Sequence, residues 1–125
     1  MLEKAKAHFK AILAQEELHC IDVPEWGDEN QPAKIYFKPM ATLPVKTYSR
    51  LVELGSQQTV EAFIDILILR CLDEQGKPLF KAVDKTEMLR EISPMVVCDM
   101  IRQMGEAEKE TTTALLNLES VEKNS

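Results

Sequence analysis

The chain has 125 residues and a mass of 14.2 kDa, room for one domain. With 45% hydrophobic and 29% charged residues it has globular proportions, so wholesale disorder is excluded. Fifteen Lys and Arg against 21 Asp and Glu give a net charge of −6, which argues against a duplex nucleic-acid binder.

The first segment reads as an amphipathic helix over Leu2 to Gln15. Leu2, Ala5, Phe9, Ile12 and Leu13 recur at helical spacing with Lys4, Lys6 and Lys10 between them, so one stripe is expected to lie on a core. The period then changes to two. In Leu18–Val23, Ile21 and Val23 share a face with Asp22 opposite. After a Pro-, Gly- and acid-rich loop over Glu25–Pro32, Ile35 and Phe37 share a face opposite Lys34, Tyr36 and Lys38. Two such runs predict an antiparallel hairpin buried on one side, with Pro24 blocking further ladder bonds.

From Thr42 onward the pattern is helical. Thr42 is expected to cap a helix with Pro44 in its first turn, Tyr48, Leu51 and Val52 facing inward, and Gly55 at its end. Ser56 is expected to cap the next helix, the most apolar of the chain. Val60, Phe63, Ile64, Leu67, Ile68, Cys71 and Leu72 recur on it, interrupted by Glu61, Asp65 and Arg70. Asp73–Pro78 is a turn, with Leu79 and Phe80 as its apolar exit. Asp84 and Ser93 then each read as an N-cap, the first with Glu87 at N3 and a Val83–Met88 staple, the second with Pro94 at N1 and an Ile92–Val97 staple. Gly105 is expected to end the last clear helix. Residues 106–125 hold five Glu and two Lys, a net charge of −3, and read as a polar tail, partly helical or disordered. The expected fold is therefore α+β: one mainly helical domain over residues 1–105 with a small N-terminal antiparallel hairpin, followed by that tail.

No catalytic constellation is visible. His8 and His19 lie in separate elements, and His19 and Cys20, adjacent on a strand, point to opposite faces, poor geometry for a metal. Cys20, Cys71 and Cys98 fall at apolar positions and read as small buried hydrophobes in a reducing cytosol. None of the four Gly lies in a phosphate-binding pattern. No export signal is apparent, and the run Ile66–Leu69 is far too short for a membrane span. The expectation is a non-enzymatic protein with no metal or cofactor and no nucleic-acid or membrane partner.

Three blocks carry a resemblance. Val23-Pro24-Glu25-Trp26-Gly27, then Ile35-Tyr36-Phe37-Lys38-Pro39 with Leu43 behind it, then Cys71-Leu72-Asp73-Glu74-Gln75-Gly76-Lys77-Pro78-Leu79-Phe80, resemble the tail assembly chaperones of long-tailed bacteriophages and prophages, over about Met1 to Met104. The resemblance implies a protein that binds the tape-measure protein, keeps it soluble and helps recruit tail-tube subunits. It also implies action in the host bacterial cytoplasm, absence from the mature virion, and, in many members, a frameshifted longer form. A small regulatory or adaptor protein that binds a bacterial protein is the alternative.

Six residues are candidates for partner contact. Met88, Met95, Met100 and Met104 cluster near the end, where flexible thioethers either line an adaptable client groove or fill the core. Trp26 either anchors a partner or folds back to close the hairpin. Tyr36, on the polar face of the hairpin, is a further contact. Self-association through the hairpin edges is set against blunting of those edges by Pro24, Pro32 and Pro39.

Overall fold

A computed structural model of the chain describes residues 1–15 and 18–124, with side chains described at 1–14 and 18–109. It has the expected α+β composition. Helix α1 (Leu2–Gln15) precedes the hairpin β1 (His19–Asp28) and β2 (Gln31–Phe37). A 3₁₀ turn over Met40–Thr42 leads into α2 (Val45–Gln57) and α3 (Val60–Arg70). A second 3₁₀ turn, Ala82–Asp84, leads into α4 (Lys85–Glu91) and α5 (Pro94–Asn124).

The hairpin register pairs Cys20 with Tyr36, Ile21 with Ile35 and Asp22 with Lys34. Alternation therefore sends Ile21, Val23, Ile35 and Phe37 to one buried face, as the period-two pattern predicts. Most of the expected loop over 25–32, however, is strand, and only Glu29 and Asn30 form the turn. β1 continues through Pro24 to Asp28, and the register breaks between Val23 and Asp28. Proline is tolerated there because the ladder makes no demand on its missing N–H inside an irregularity. Gly27 is required by close approach: a Cβ on it would stand 2.1 Å from the Gln31 carbonyl oxygen.

Helix α3 is central, and both of its sides are occupied. Ile64, Leu67 and Cys71 pack with the hairpin face and with Val97, Met100 and Met104 of α5. Ala62 and Ile66 pack with Leu51 and Leu54 of α2. Lys85 Nζ lies 3.0 Å from Asp65 and 3.4 Å from Glu61, pinning α4 to α3.

Several expected boundaries moved. Thr42 does not cap α2. It is buried in the 3₁₀ turn, where its hydroxyl donates to the Pro39 carbonyl at 2.8 Å. Tyr48 and Val52 are exposed, and the buried residues of α2 are Leu51 and Leu54. Gly55 lies within α2, which ends at Gln58 in the left-handed region, and Thr59, not Ser56, caps α3 by accepting the Ala62 N–H. The Asp84 carboxylate accepts the Lys81 N–H, and Val83 is exposed, so the first predicted staple is not made. Helix α1 does not lie on the main core. It packs on the Met40–Thr42 turn, with Phe9 and Ile12 half-buried and Leu2 and Leu13 exposed.

Gly105 does not end the last helix, and residues 106–124, expected as a polar tail, continue α5. Side chains from Glu110 onward lie outside those described. Glu108 explains the continuation. Arg70, which reads as an interruption of the α3 stripe, is buried at i+4 from Ile66, and its Nη2 donates to Glu108 Oε1 and, at 2.7 Å, to the Lys38 carbonyl. Glu108 in turn accepts the Met40 N–H at 3.0 and 3.1 Å on its two oxygens. The side chains of Arg70 and Glu108 are 7% and 14% exposed, too little for water to replace either partner. The guanidinium carbon also stands 5.1 Å from the centroid of the Phe37 ring.

Removing one member of a buried pair strands the other charge. Glu108→Ala should cost about 3–5 kcal/mol in urea unfolding, and a double change to Arg70→Met with Glu108→Leu should cost less than that single change. Continuity of α5 has its own test. A Cβ at Gly105 meets nothing within 4 Å, so Gly105→Ala should raise stability by about 0.5–1 kcal/mol, whereas at a helix end the same change destabilises.

Candidate protein-binding surface

The structure separates the six candidate contact residues. Met88, Met100 and Met104 are buried in the core, and only Met95, 78% exposed in the first turn of α5, reaches the surface. Three of the four methionines thus belong to the core, because Met100 and Met104 share the α5 stripe with Val97 that faces α3 and the hairpin.

Trp26 folds back. It is half-buried, and its ring meets Phe80 edge-on, with centroids 6.2 Å apart and planes at 79°. Tyr36 is half-exposed, and its backbone does the structural work: its N–H donates to the Leu72 carbonyl at 3.0 Å and its carbonyl accepts the Leu72 N–H at 2.8 Å. Leu72 also bridges Pro78. The 71–80 turn is therefore a third, short rung on the hairpin's β2 edge. Asp73 organises that turn, its carboxylate accepting the N–H groups of Gln75 and Lys77, and Gly76 takes the positive φ of 83° that the turn requires.

These contacts bring the three resembling blocks together. The first meets the third through Trp26 and Phe80, and the second meets it through Tyr36 and Leu72. The two contacts lie on different sides of the hairpin: Trp26 and Phe80 pack against the main core, whereas Tyr36 is on the outer side with Lys34 and its cross-strand partner Cys20, and Leu79 is exposed. Burial against its surroundings and the nearby Glu74 hold the Tyr36 hydroxyl above the usual tyrosine range, so the phenol is a neutral hydrogen-bonding group at physiological pH.

The cysteines divide. Cys20 and Cys98, expected to be buried, are exposed, and only Cys71 is buried. Cys20 sits on the outer face of the hairpin because β1 alternation turns it away from Ile21. Burial pushes the Cys71 thiol up to about 12, against the opposing pull of Arg70. Among the described residues no group of three or more His, Cys, Asp or Glu is placed to hold a metal ion, and no helix is long and apolar enough to cross a membrane.

A second surface was not anticipated. Between α1 and the start of α2 lies an open groove lined by Ala5, Lys6, Phe9, Ala41, Leu43, Pro44 and Val45. The signal for it was present in the amphipathic pattern of α1, which the sequence reading assigned to the core.

No family model, curated protein or solved structure matches the chain.

Thiol chemistry checks the described burial. A chromogenic disulfide reagent should titrate two thiols in the native protein, those of Cys20 and Cys98, and a third only on unfolding. Between pH 9 and 12 the unfolded chain releases the Cys71 proton while the folded chain retains it, so this group's contribution makes stability fall as pH rises through that window. Replacing Cys71 with Ala should remove that part of the slope in urea titrations across the same range.

Proposed function

We propose that this protein is a tail assembly chaperone of a long-tailed bacteriophage or prophage. It is a non-catalytic protein that binds the tape-measure protein and helps recruit tail-tube subunits. The observation that carries this reading is the convergence of the three resembling blocks. Segments up to 57 positions apart, from Val23 to Phe80, are brought into one neighbourhood by Trp26–Phe80 and Tyr36–Leu72 contacts.

The chemistry of that neighbourhood suits the task. A chaperone for a long client needs apolar contact area with little loss of side-chain entropy, and a braced Trp supplies that. Leu79 adds exposed apolar area, and Tyr36 adds a polar handle. On this reading the protein acts in the host bacterial cytoplasm and is absent from the mature virion.

Co-expression with the tape-measure protein encoded beside it tests the reading. The two should co-purify, and the soluble fraction of the tape-measure protein should rise. Trp26→Ala should lower recovery at least several-fold while the circular dichroism of the chaperone is unchanged, since central aromatic contacts commonly contribute 2 kcal/mol or more, roughly thirty-fold in affinity. A tape-measure protein equally soluble with and without this chain overturns the assignment.

A further inference from the structure

Helices α2 and α5 both pack on α3 and leave a cleft between them. Leu51 of α2 and Ile101 and Met104 of α5 wall it, and Ile66 and Arg70 of α3 form its floor. Its volume is about 170 Å³. An apolar cavity of about 150 Å³ holds a benzene ring, so this cleft seats a single ring and is too small for a helix.

Two glycines keep it open. Gly55 stands one turn after Leu51, and Gly105 stands one turn after Ile101 and one before Glu108, so a side chain at either position would stand on the wall of the cleft. A Cβ at either meets nothing within 4 Å. Both lie inside helices, where glycine is unfavourable relative to alanine.

The floor carries an unanswered donor. Arg70 is 8% exposed, and its Nη2 is committed to Glu108 and to the Lys38 carbonyl. Its Nε has no hydrogen-bond partner among the described residues. A buried donor in that state is costly, and an acceptor beside it removes the cost. Glu108 also lines the cleft and balances the guanidinium charge, and its two oxygens already accept from Arg70 and Met40. A charged occupant would be repelled by one member of that pair, whereas a neutral occupant with an acceptor is repelled by neither.

We propose that the cleft between α2, α3 and α5 binds a neutral, monocyclic small molecule bearing one carbonyl-type acceptor, its ring among Leu51, Ile66, Ile101 and Met104 and its oxygen accepting the Arg70 Nε–H. Less than 1 Å² of Nε is accessible, so the guanidinium turns slightly to present it as the ligand seats. The site stands independently of which client the protein serves.

Cyclohexanone is the probe, and methylenecyclohexane is the control, the same ring with its oxygen replaced by a methylene. Titrated into the isotope-labelled full chain, cyclohexanone should saturably shift the methyl resonances of Ile66, Ile101 and Met104, with one molecule bound per chain, and should move the Arg70 Nε–H resonance. Methylenecyclohexane should shift the methyls and leave the Nε–H in place. Gly55→Leu and Gly105→Leu, made separately, fill the cleft and should each abolish the shifts while circular dichroism is unchanged. Arg70→Met with Glu108→Leu keeps an apolar floor without the donor, and in that variant the preference for cyclohexanone over methylenecyclohexane should fall roughly ten-fold, the worth of one hydrogen bond to a charged donor. Should the double variant not fold, the Nε–H resonance of the unaltered chain decides the same point. Absence of saturable shifts overturns the proposal, as do binding that survives both leucine variants, an unchanged preference in the folded double variant, or an Nε–H resonance that cyclohexanone does not move.

Discussion

Arg70 and Glu108 form the contact that the remaining architecture is arranged around. A guanidinium in the middle of an apolar helix is tolerable only where every direction it faces is answered. Here the Glu108 carboxylate, the Lys38 carbonyl and the Phe37 ring answer most of them. The Nε of Arg70 has no hydrogen-bond partner among the described residues, so the site is enclosed without being fully satisfied. Because Glu108 also takes the Met40 N–H, one carboxylate ties α5, α3 and the segment between hairpin and α2. A buried pair of this kind contributes little net stability compared with an apolar replacement, but it penalises every arrangement that separates its members. It thereby selects one packing of α5 against α3 over neighbouring registers that the apolar stripe alone would accept.

That lock also decides which surfaces are left over. With α5 held against α3 and the hairpin, the methionines of its inner stripe are consumed by the core, and surface chemistry passes to two other places. One is the hairpin and its attached turn, where Trp26 meets Phe80 and the turn is tied to β2 by backbone bonds. The other is the groove beside α1, which packs on the Met40–Thr42 turn and leaves Leu2 and Leu13 of its apolar stripe exposed.

Much of this was legible from local pattern. The helices α1, α3 and α4 and the buried face of the hairpin follow from spacing alone, because period and face are properties of consecutive residues. Boundaries were less legible. Pro24 and Gly27 are turn formers in isolation, yet they sit inside β1 at a register break that depends on the partner strand. Gly55 and Gly105 are helix terminators by preference, yet both lie inside helices, Gly55 just after the buried Leu54 and Gly105 between the buried Met104 and the largely buried Glu108. The candidate contact residues were half legible: the pairing of Trp26 with a residue 54 positions away has no local signature.

The amino-acid sequence by itself determined the fold class, the inward faces of the hairpin and of α3, the absence of any recognisable catalytic pattern, and the acidity of the C-terminal stretch. These depend on composition and short-range periodicity. Only the tertiary structure decided that Arg70 and Glu108, which read as an interruption and a tail residue, are partners inside the protein. Only it decided that three methionines are core, that two of the three cysteines are exposed, and that α1 stands off the main core to leave a groove. The physical reason is the same in each case. Burial and pairing are relations between residues far apart in the chain, and a charge 38 positions from its partner gives no sign, in its own neighbourhood, that it is half of a pair.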